Sequence, residues 1–132
     1  MPGATLDISL TCGRDFYLSI TNQTVAGNAW DMRNYLTVMT VKAHINDPDS
    51  KALFQSGPEA SDLAFGKLSF QIPHAVSAHW WIAPPSGSGA VSTVCVYDVA
   101  YADNASPTRN WNTMLSGAVN LQQPVTITIP GG

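Results

Sequence analysis

The chain has 132 residues, enough for one domain with a single core and too few for two. Its net charge is −3, and it has neither the clustered Lys and Arg residues that bind phosphate nor an apolar run long enough for a membrane helix. Composition therefore predicts a single domain over residues 1–132 and excludes nucleic acid and the membrane as expected partners.

The first third of the chain predicts two or three strands. Residues 6–11 ("LDISLT") and 15–21 ("DFYLSIT") alternate apolar and polar side chains, which predicts two consecutive short strands or one strand broken by a bulge. Residues 22–34 are rich in Asn and Gly and predict a loop that delivers Trp30 and Tyr35 to the core. A long strand follows over residues 35–45, and the face that carries Met39 and Val41 is the more apolar one.

The middle of the chain predicts shorter elements. A turn around Pro48 leads into a short strand over residues 52–56, and residues 57–65 are expected to form a loop. Residues 66–72 ("GKLSFQI") predict a half-buried strand. Pro73 suits the first position of a helix, so a helix of one or two turns is expected near residues 73–82.

The last third predicts three more strands. Residues 91–102 form the longest β-prone run and are expected to be a central strand. After a turn, residues 111–121 return as a strand with a bulge at Gly117, and residues 124–130 predict an edge strand. Seven or eight strands with turns every 8 to 15 residues favour an all-β, immunoglobulin-like sandwich, although periodicity leaves a jelly roll or a small barrel open.

The order of several motifs is similar to that of a known family. The strand "CGRDFYLSI" is followed by "DMRNY", by "GKLSFQI" and a short helix, then by "YDV" and "LSGAVNLQQPVT". The matching residues are Gly13, Asp15, Phe16, Leu18, Ile20, Asp31, Met32, Tyr35, Gly66, Leu68, Phe70, Ile72, Tyr97, Asp98, Val99, Leu115, Gly117, Val119, Pro124, Val125 and Thr126. In this order they resemble the immunoglobulin-like domain of tailed-phage virion proteins, including the N-terminal domain of upper baseplate proteins.

The resemblance implies a non-enzymatic structural protein of the virion, without a cofactor. Such a domain would pack against sister copies and other virion proteins in a tail, baseplate or head, as a homo-oligomer within the particle. A capsid cement or decoration protein is the alternative in the same class, and copy number per particle separates the two. The loop at residues 22–30, the pair Trp80 and Trp81, and the segment "APPSGSGAVS" depart from the family pattern.

A low content of charge agrees with an assembly role. Charged residues make up 11% of the chain, against about 25% in a typical soluble domain. A surface so poor in charge suggests cover by neighbouring subunits, although a surface rich in Ser, Thr, Asn and Gln would have the same composition.

The cysteines and the N-terminus give no sign of export. Residues 1–10 show no basic region followed by an apolar stretch, so no export signal is predicted. Cys12 and Cys95 are expected to be buried free thiols, and a disulfide between them stays open at this point. Without secretion, the glycosylation motifs at Asn22 and Asn104 have no meaning.

No catalytic or metal-binding motif emerges. Asp31 and Asp98 are the candidate acids, but each is expected to have a structural role, Asp31 in capping a turn and Asp98 in accepting loop hydrogen bonds or pairing with Arg33 or Arg109. The three histidines are expected at the surface and not on a metal. These are His44, His74 and His79.

The tryptophans and the C-terminal segment are the candidate contact residues. For Trp80 and Trp81 three roles are open: a plug for the core, a partner interface, or a stacking surface for sugar, and one buried ring with one at an interface is expected. The alternative function from another class is a module that binds host glycans, with Trp80, Trp81 or Trp111 as the stacking platform. The segment "PVTITIPGG" could pair with a neighbour or lie within its own sheet. The predicted partner-interface residues are Trp80, Trp81, Trp111, Val125, Ile127 and Ile129.

Overall fold

A computed structural model describes residues 4–24, 26–80, 92–104 and 110–122 of the chain. The predicted edge strand at 124–130 and the segment "APPSGSGAV" lie outside these ranges, as does most of the predicted turn at 103–110. Within them the chain forms nine strands and one short α-helix. The elements are β1 (Ala4–Thr5), β2 (Ile8–Thr11), β3 (Phe16–Thr21), β4 (Tyr35–Lys42), β5 (Phe54–Ser56), β6 (Ala60–Asp62), β7 (Lys67–Ile72), α1 (His74–Ser77), β8 (Ser92–Asp103) and β9 (Asn112–Gln122).

The strands form two sheets. In the larger sheet, the order is β5, β4, β8, β9, with β1 and β2 both on the far side of β9. The pairs β5–β4, β4–β8 and β8–β9 are antiparallel, whereas β1 and β2 run parallel to β9. The smaller sheet has the antiparallel order β3, β7, β6. The predicted all-β sandwich with one short helix is confirmed.

The core contains the inward-facing side chains of both sheets. In β7, and in β8 from Cys95 to Val99, buried residues alternate with more exposed ones, as expected when one face of a sheet packs and the other meets solvent. In β4, Met39, Thr40 and Val41 are all buried. The buried apolar side chains from the strands are Ile8, Leu10, Leu18, Met39, Val41, Leu68, Phe70, Ile72, Cys95, Tyr97, Val99, Ala102, Met114, Val119 and Leu121. The face of β4 with Met39 and Val41 is therefore the inner one, as the sequence predicted.

The predicted loop at residues 57–65 is wrong in part. It contains β6 and a 3₁₀ turn at Leu63–Phe65. All three residues of β6 are exposed, so no hydrophobic alternation marks the strand, and it exists through backbone pairing with β7. Gly66 ends the turn with a φ of +69°, and a Cβ there would lie 2.6 Å from the Asn22 carbonyl oxygen, so only glycine fits this connection.

The bulge predicted at Gly117 is also wrong. Gly117 is in regular register opposite Tyr97. The irregularity lies nearby, where Val99 pairs with Leu115 but Ala100 pairs with Thr113, which leaves Met114 as the extra residue. Glycine is required at position 117 for another reason, because the backbone of Leu6, between β1 and β2, approaches it closely.

Candidate interaction surfaces

The edge of β3 that faces away from β7 has no partner among the described strands, and we call it the open edge of β3. The Asn22 N–H donates to the Gly66 carbonyl oxygen at 2.9 Å, in continuation of the β3–β7 register. Hydrogen-bonded and non-hydrogen-bonded pairs alternate along an antiparallel ladder, so the backbone groups of Tyr17, Ser19 and Thr21 face away from β7. Among the described strands, β7 is the only partner of β3. Three donors and three acceptors thus face outward along one edge.

The edge formed by β1 and β2 is held differently. Between the two strands the Leu6 N–H still donates to the Ser116 carbonyl oxygen at 2.9 Å, but the Ala118 N–H donates to the side-chain Oδ1 of Asp7 at 3.0 Å. The Tyr97 hydroxyl donates to the Leu6 carbonyl oxygen at 2.6 Å. The backbone comes so close that a Cβ on Gly117 would lie 2.1 Å from the Leu6 carbonyl oxygen. Side-chain hydrogen bonds therefore hold the segment between β1 and β2 against the sheet.

The outer face of the larger sheet carries a row of polar side chains across its strands. Residues directly opposite each other in a ladder share a face, and the inward neighbours Met39, Val41, Tyr97 and Val99 lie in the core. The strand registers join five polar residues into one row. This polar row consists of Gln55, Thr40, Asp98, Ser116 and Thr5.

Two cavities of about 430 and 420 Å³ adjoin the polar row. Thr40, Lys42 and Asp98 line both cavities, so we describe the two together as the sheet-face groove. Ile45, 77% exposed, lines the first cavity, and Trp111, 49% exposed, lines the second. The groove thus combines a polar centre with one large apolar side chain in each half.

The charged groups of the groove are few. Lys42 Nζ lies 2.7 Å from Asp49 Oδ1. Partial burial raises the pKa of Asp98, the nearby Lys42 partly opposes this rise, and Asp49 adds to it. Gln55 Nε2 donates to Thr40 Oγ1 at 3.1 Å. One lysine and two aspartates leave the ionised groove with a single negative charge.

The two candidate acids lie apart. Asp31 pairs with Arg33 through a contact of 2.6 Å and accepts the Arg33 N–H, and these hydrogen bonds lower the pKa of Asp31. The predicted turn-capping role of Asp31 is confirmed. The predicted pairing of Asp98 with Arg33 is wrong, because Arg33 is held by Asp31, and Arg109 lies outside the described residues. Asp31 lies four residues before Tyr35, the first residue of β4, whereas Asp98 lies opposite Thr40. Between Tyr35 and Thr40 the strand spans roughly 17 Å.

The histidines lie at the surface. His44, His74 and His79 are all exposed, as predicted. His74 is the first residue of α1, and its N–H donates to Asp15 Oδ1 at 2.7 Å, while its ring Nδ1 lies 2.9 Å from the same oxygen. These contacts lower the pKa of Asp15. Within the described ranges no group of three or more His, Cys, Asp or Glu side chains is arranged to hold a metal ion.

The predicted interface residues separate in the structure. Trp80 packs in the core and is 7% exposed, as the core-plug alternative had it. Trp111 is half-exposed beside the polar row, and its role at an interface stays a prediction. Trp81, Val125, Ile127 and Ile129 lie outside the described residues.

Sequence reasoning missed two features. The polar row was not predicted, because Thr5, Gln55 and Ser116 are ordinary surface residues until strand register aligns them. Trp30, predicted to reach the core, packs against its margin and forms edge-to-face ring contacts with Tyr35 and Tyr101, whose centroids lie 5.3 and 5.2 Å from its own.

The cysteines are free and buried, as the sequence favoured. Burial raises the pKa of both thiols, and the pKa of Cys95 rises further through its proximity to Cys12. The one described α-helix, of four residues, is too short to cross a membrane.

Comparisons with known proteins give a likeness to solved structures but not to a family or a curated protein. Neither a protein-family model nor a curated protein matches the chain. Among solved structures, it is similar to the N-terminal domain of phage TP901-1 ORF48, with a TM-score of 0.45 and 10% sequence identity over 92% of this chain and 97% of that chain.

Proposed function

We propose that this chain is a structural protein of a phage virion, an immunoglobulin-like module that assembles by contact with sister copies and neighbouring virion proteins in the tail, baseplate or head–tail region. It is not an enzyme in this proposal, and neither nucleic acid nor a membrane is a partner. The motif order from Gly13 to Thr126 supports the proposal, and so does the charged fraction of 11%.

The strand order supports the immunoglobulin-like assignment. In variable-type immunoglobulin domains, a sheet containing the strands C, F and G is extended by a further strand beside C, and B, E and D lie in the opposite sheet. The order β5, β4, β8, β9 facing β3, β7, β6 has the same arrangement.

The open edge of β3 is the observation that carries the assembly role. Natural proteins usually blunt an exposed edge with lysine, proline, a bulge or a very short strand. β5 and β6 have three residues each and β2 has four, but β3 has six, with neither a charged side chain nor a proline. A strand of this kind can accept another chain by backbone pairing.

A proline substitution tests this edge without disturbing the β7 ladder. The Ser19 N–H faces away from β7, so Ser19→Pro removes a donor from the open edge only. We expect phage particles produced with Ser19→Pro to lack the protein or to fail in assembly, while the matched variant Ser19→Ala is incorporated normally. Immunogold electron microscopy and quantitative mass spectrometry of purified particles measure incorporation.

The same particles test the location. A few copies at the tail or collar support the proposal, whereas hundreds of copies on the capsid would assign the cement role. Normal incorporation of Ser19→Pro would show that β3 is not the assembly edge. Absence of the wild-type chain from the particle would overturn the proposal as a whole.

A further inference from the structure

We propose that the sheet-face groove binds a neutral oligosaccharide, with Trp111 stacking on a sugar ring and the polar row bonding to sugar hydroxyls. This inference goes beyond the proposed structural function and does not rest on it. It is carried by the position of Trp111 next to the polar row on one face of the larger sheet.

Trp111 has the exposure expected of a stacking platform. It directly precedes β9 and lines one half of the groove together with Val38 and Ala100. Its side chain is 49% exposed, although tryptophan is highly buried in most folded domains. A pyranose ring has an apolar face of C–H groups that packs against an aromatic ring, which removes apolar surface of both partners from water.

The polar row offers both donors and acceptors, which is what a hydroxyl requires. Asp98 accepts hydrogen bonds when it is ionised, and the Ser116 hydroxyl can donate and accept. Because Gln55 uses its amide nitrogen to bond Thr40, its amide oxygen is held at the groove as a further acceptor. A purely apolar ligand would leave these groups without partners, at a cost in affinity.

The net negative charge of the sheet-face groove favours a neutral ligand over an anionic one. Lys42 is neutralised by Asp49 at 2.7 Å, and Asp98 adds a negative charge. A phosphate, a sulfated or acidic sugar, or a nucleic acid would therefore be repelled, although a nucleobase could also stack on tryptophan. A neutral saccharide avoids this repulsion and still satisfies the row.

The length of the row favours an oligosaccharide over a single sugar. Five strands with neighbours roughly 4.8 Å apart give a polar row of about 19 Å. Trp111 lines one cavity of the groove and Ile45 the other, so a chain of several sugar units could contact both halves.

The test is binding of the purified full chain to an array of neutral oligosaccharides, including maltotetraose, cellotetraose, mannotetraose and chitotetraose, with sialylated and sulfated glycans beside them. The best probe is then titrated by calorimetry. We expect Trp111→Ala to weaken its binding by roughly tenfold to a hundredfold, the range seen when a stacking aromatic side chain is removed, and Trp111→Phe to retain part of the affinity.

The matched control is Tyr17→Ala, which removes an exposed aromatic side chain on the smaller sheet, 56% exposed in the wild type. It should bind the probe as the wild type does. Circular dichroism and thermal melting establish that each variant is folded.

Three results of the glycan-binding experiments would overturn the inference: no binding by the wild type, selective binding of acidic glycans, or unchanged binding by Trp111→Ala. If Trp111→Ala instead abolished contact with another virion protein, the groove would be a protein interface and the inference would also fail. Incorporation of Trp111→Ala into particles tests the structural function separately, and it should be normal.

Discussion

The two sheets differ in how side chains hold their outer strands. On the larger sheet, the segment between β1 and β2 is held to β9 by Asp7, which replaces a backbone acceptor, and to β8 by the Tyr97 hydroxyl, which donates to the Leu6 carbonyl oxygen. On the smaller sheet, β3 has an outer row of backbone groups that none of the described strands pairs with.

The comparison shows that an edge can be stabilised or kept available by very few residues. At the β1–β2 edge Gly117 allows the backbone of Leu6 to come close, and the buried Tyr97 hydroxyl completes the contact. These contacts fit the segment between β1 and β2 of this chain. The open edge of β3 has no partner among the described strands, and we propose that its backbone pairs with a segment from another molecule. Substitutions at the contacts of β1 and β2 should therefore cost stability, whereas a substitution at the open edge of β3 should cost little.

The largest effect is expected from Gly117→Ala at the fastened edge. The new Cβ would lie 2.1 Å from the Leu6 carbonyl oxygen, so the backbone of one strand must move, which we expect to cost about 3 kcal/mol of the free energy of unfolding. Urea denaturation followed by circular dichroism measures the loss. The control is Gly57→Ala, whose nearest contact would be an ordinary 3.8 Å, with a change expected within about 0.5 kcal/mol. Equal urea midpoints for Gly117→Ala and Gly57→Ala would contradict the close approach of Leu6 to Gly117.

Tyr97→Phe removes the hydroxyl and leaves the Leu6 carbonyl oxygen without this donor, so a loss of about 1–3 kcal/mol is expected at neutral pH. Burial, with the negative charge of Asp7, raises the pKa of Tyr97 to about 12. Because the pKa of Tyr97 is higher in the folded than in the unfolded state, its contribution to the free energy of unfolding is fully present below about pH 10. This contribution is lost as the pH rises from about 10 to 12. Urea midpoints across this range should fall more steeply for the wild type than for Tyr97→Phe. Parallel curves would show that Tyr97 is not the titrating group.

Acid should weaken the contact at the start of β3. Hydrogen bonds from His74 hold the pKa of Asp15 below its usual range, so this contribution is present above about pH 4 and is lost as the pH falls through the folded-state pKa. We expect thermal stability between pH 5 and 2 to decline more for the wild type than for Asp15→Ala. The effect is modest, because Asp15 is exposed.

The smallest effect on stability is expected from Ser19→Pro at the open edge. Its N–H faces away from β7, so we expect a change of no more than about 1 kcal/mol in the free energy of unfolding. Leu18→Pro, one residue earlier, removes a donor to β7 and should cost about 3 kcal/mol or more. Similar losses for both prolines, measured by urea denaturation, would mean that the outer edge of β3 is not free.

Most of the long strands could be predicted from sequence. In β7 the alternation of apolar and polar residues is strong, because one face of the strand enters the core, and in β4 one face is more apolar than the other. β6 could not be predicted in this way, since its three residues are all exposed and backbone pairing alone defines the strand. The role of Gly117 was misassigned for a related reason: a glycine in a strand signals a bulge or a close approach equally well.

The sequence by itself determined the fold class, the inner faces of the main strands, the surface position of the histidines and the burial of the free cysteines. These properties depend on local pattern and composition. Only the tertiary structure decided that β1 and β2 run parallel to β9, that β3 has an open edge, and that Asp98 and Trp111 meet at one groove. Each depends on the register between strands distant in sequence, which no local pattern specifies.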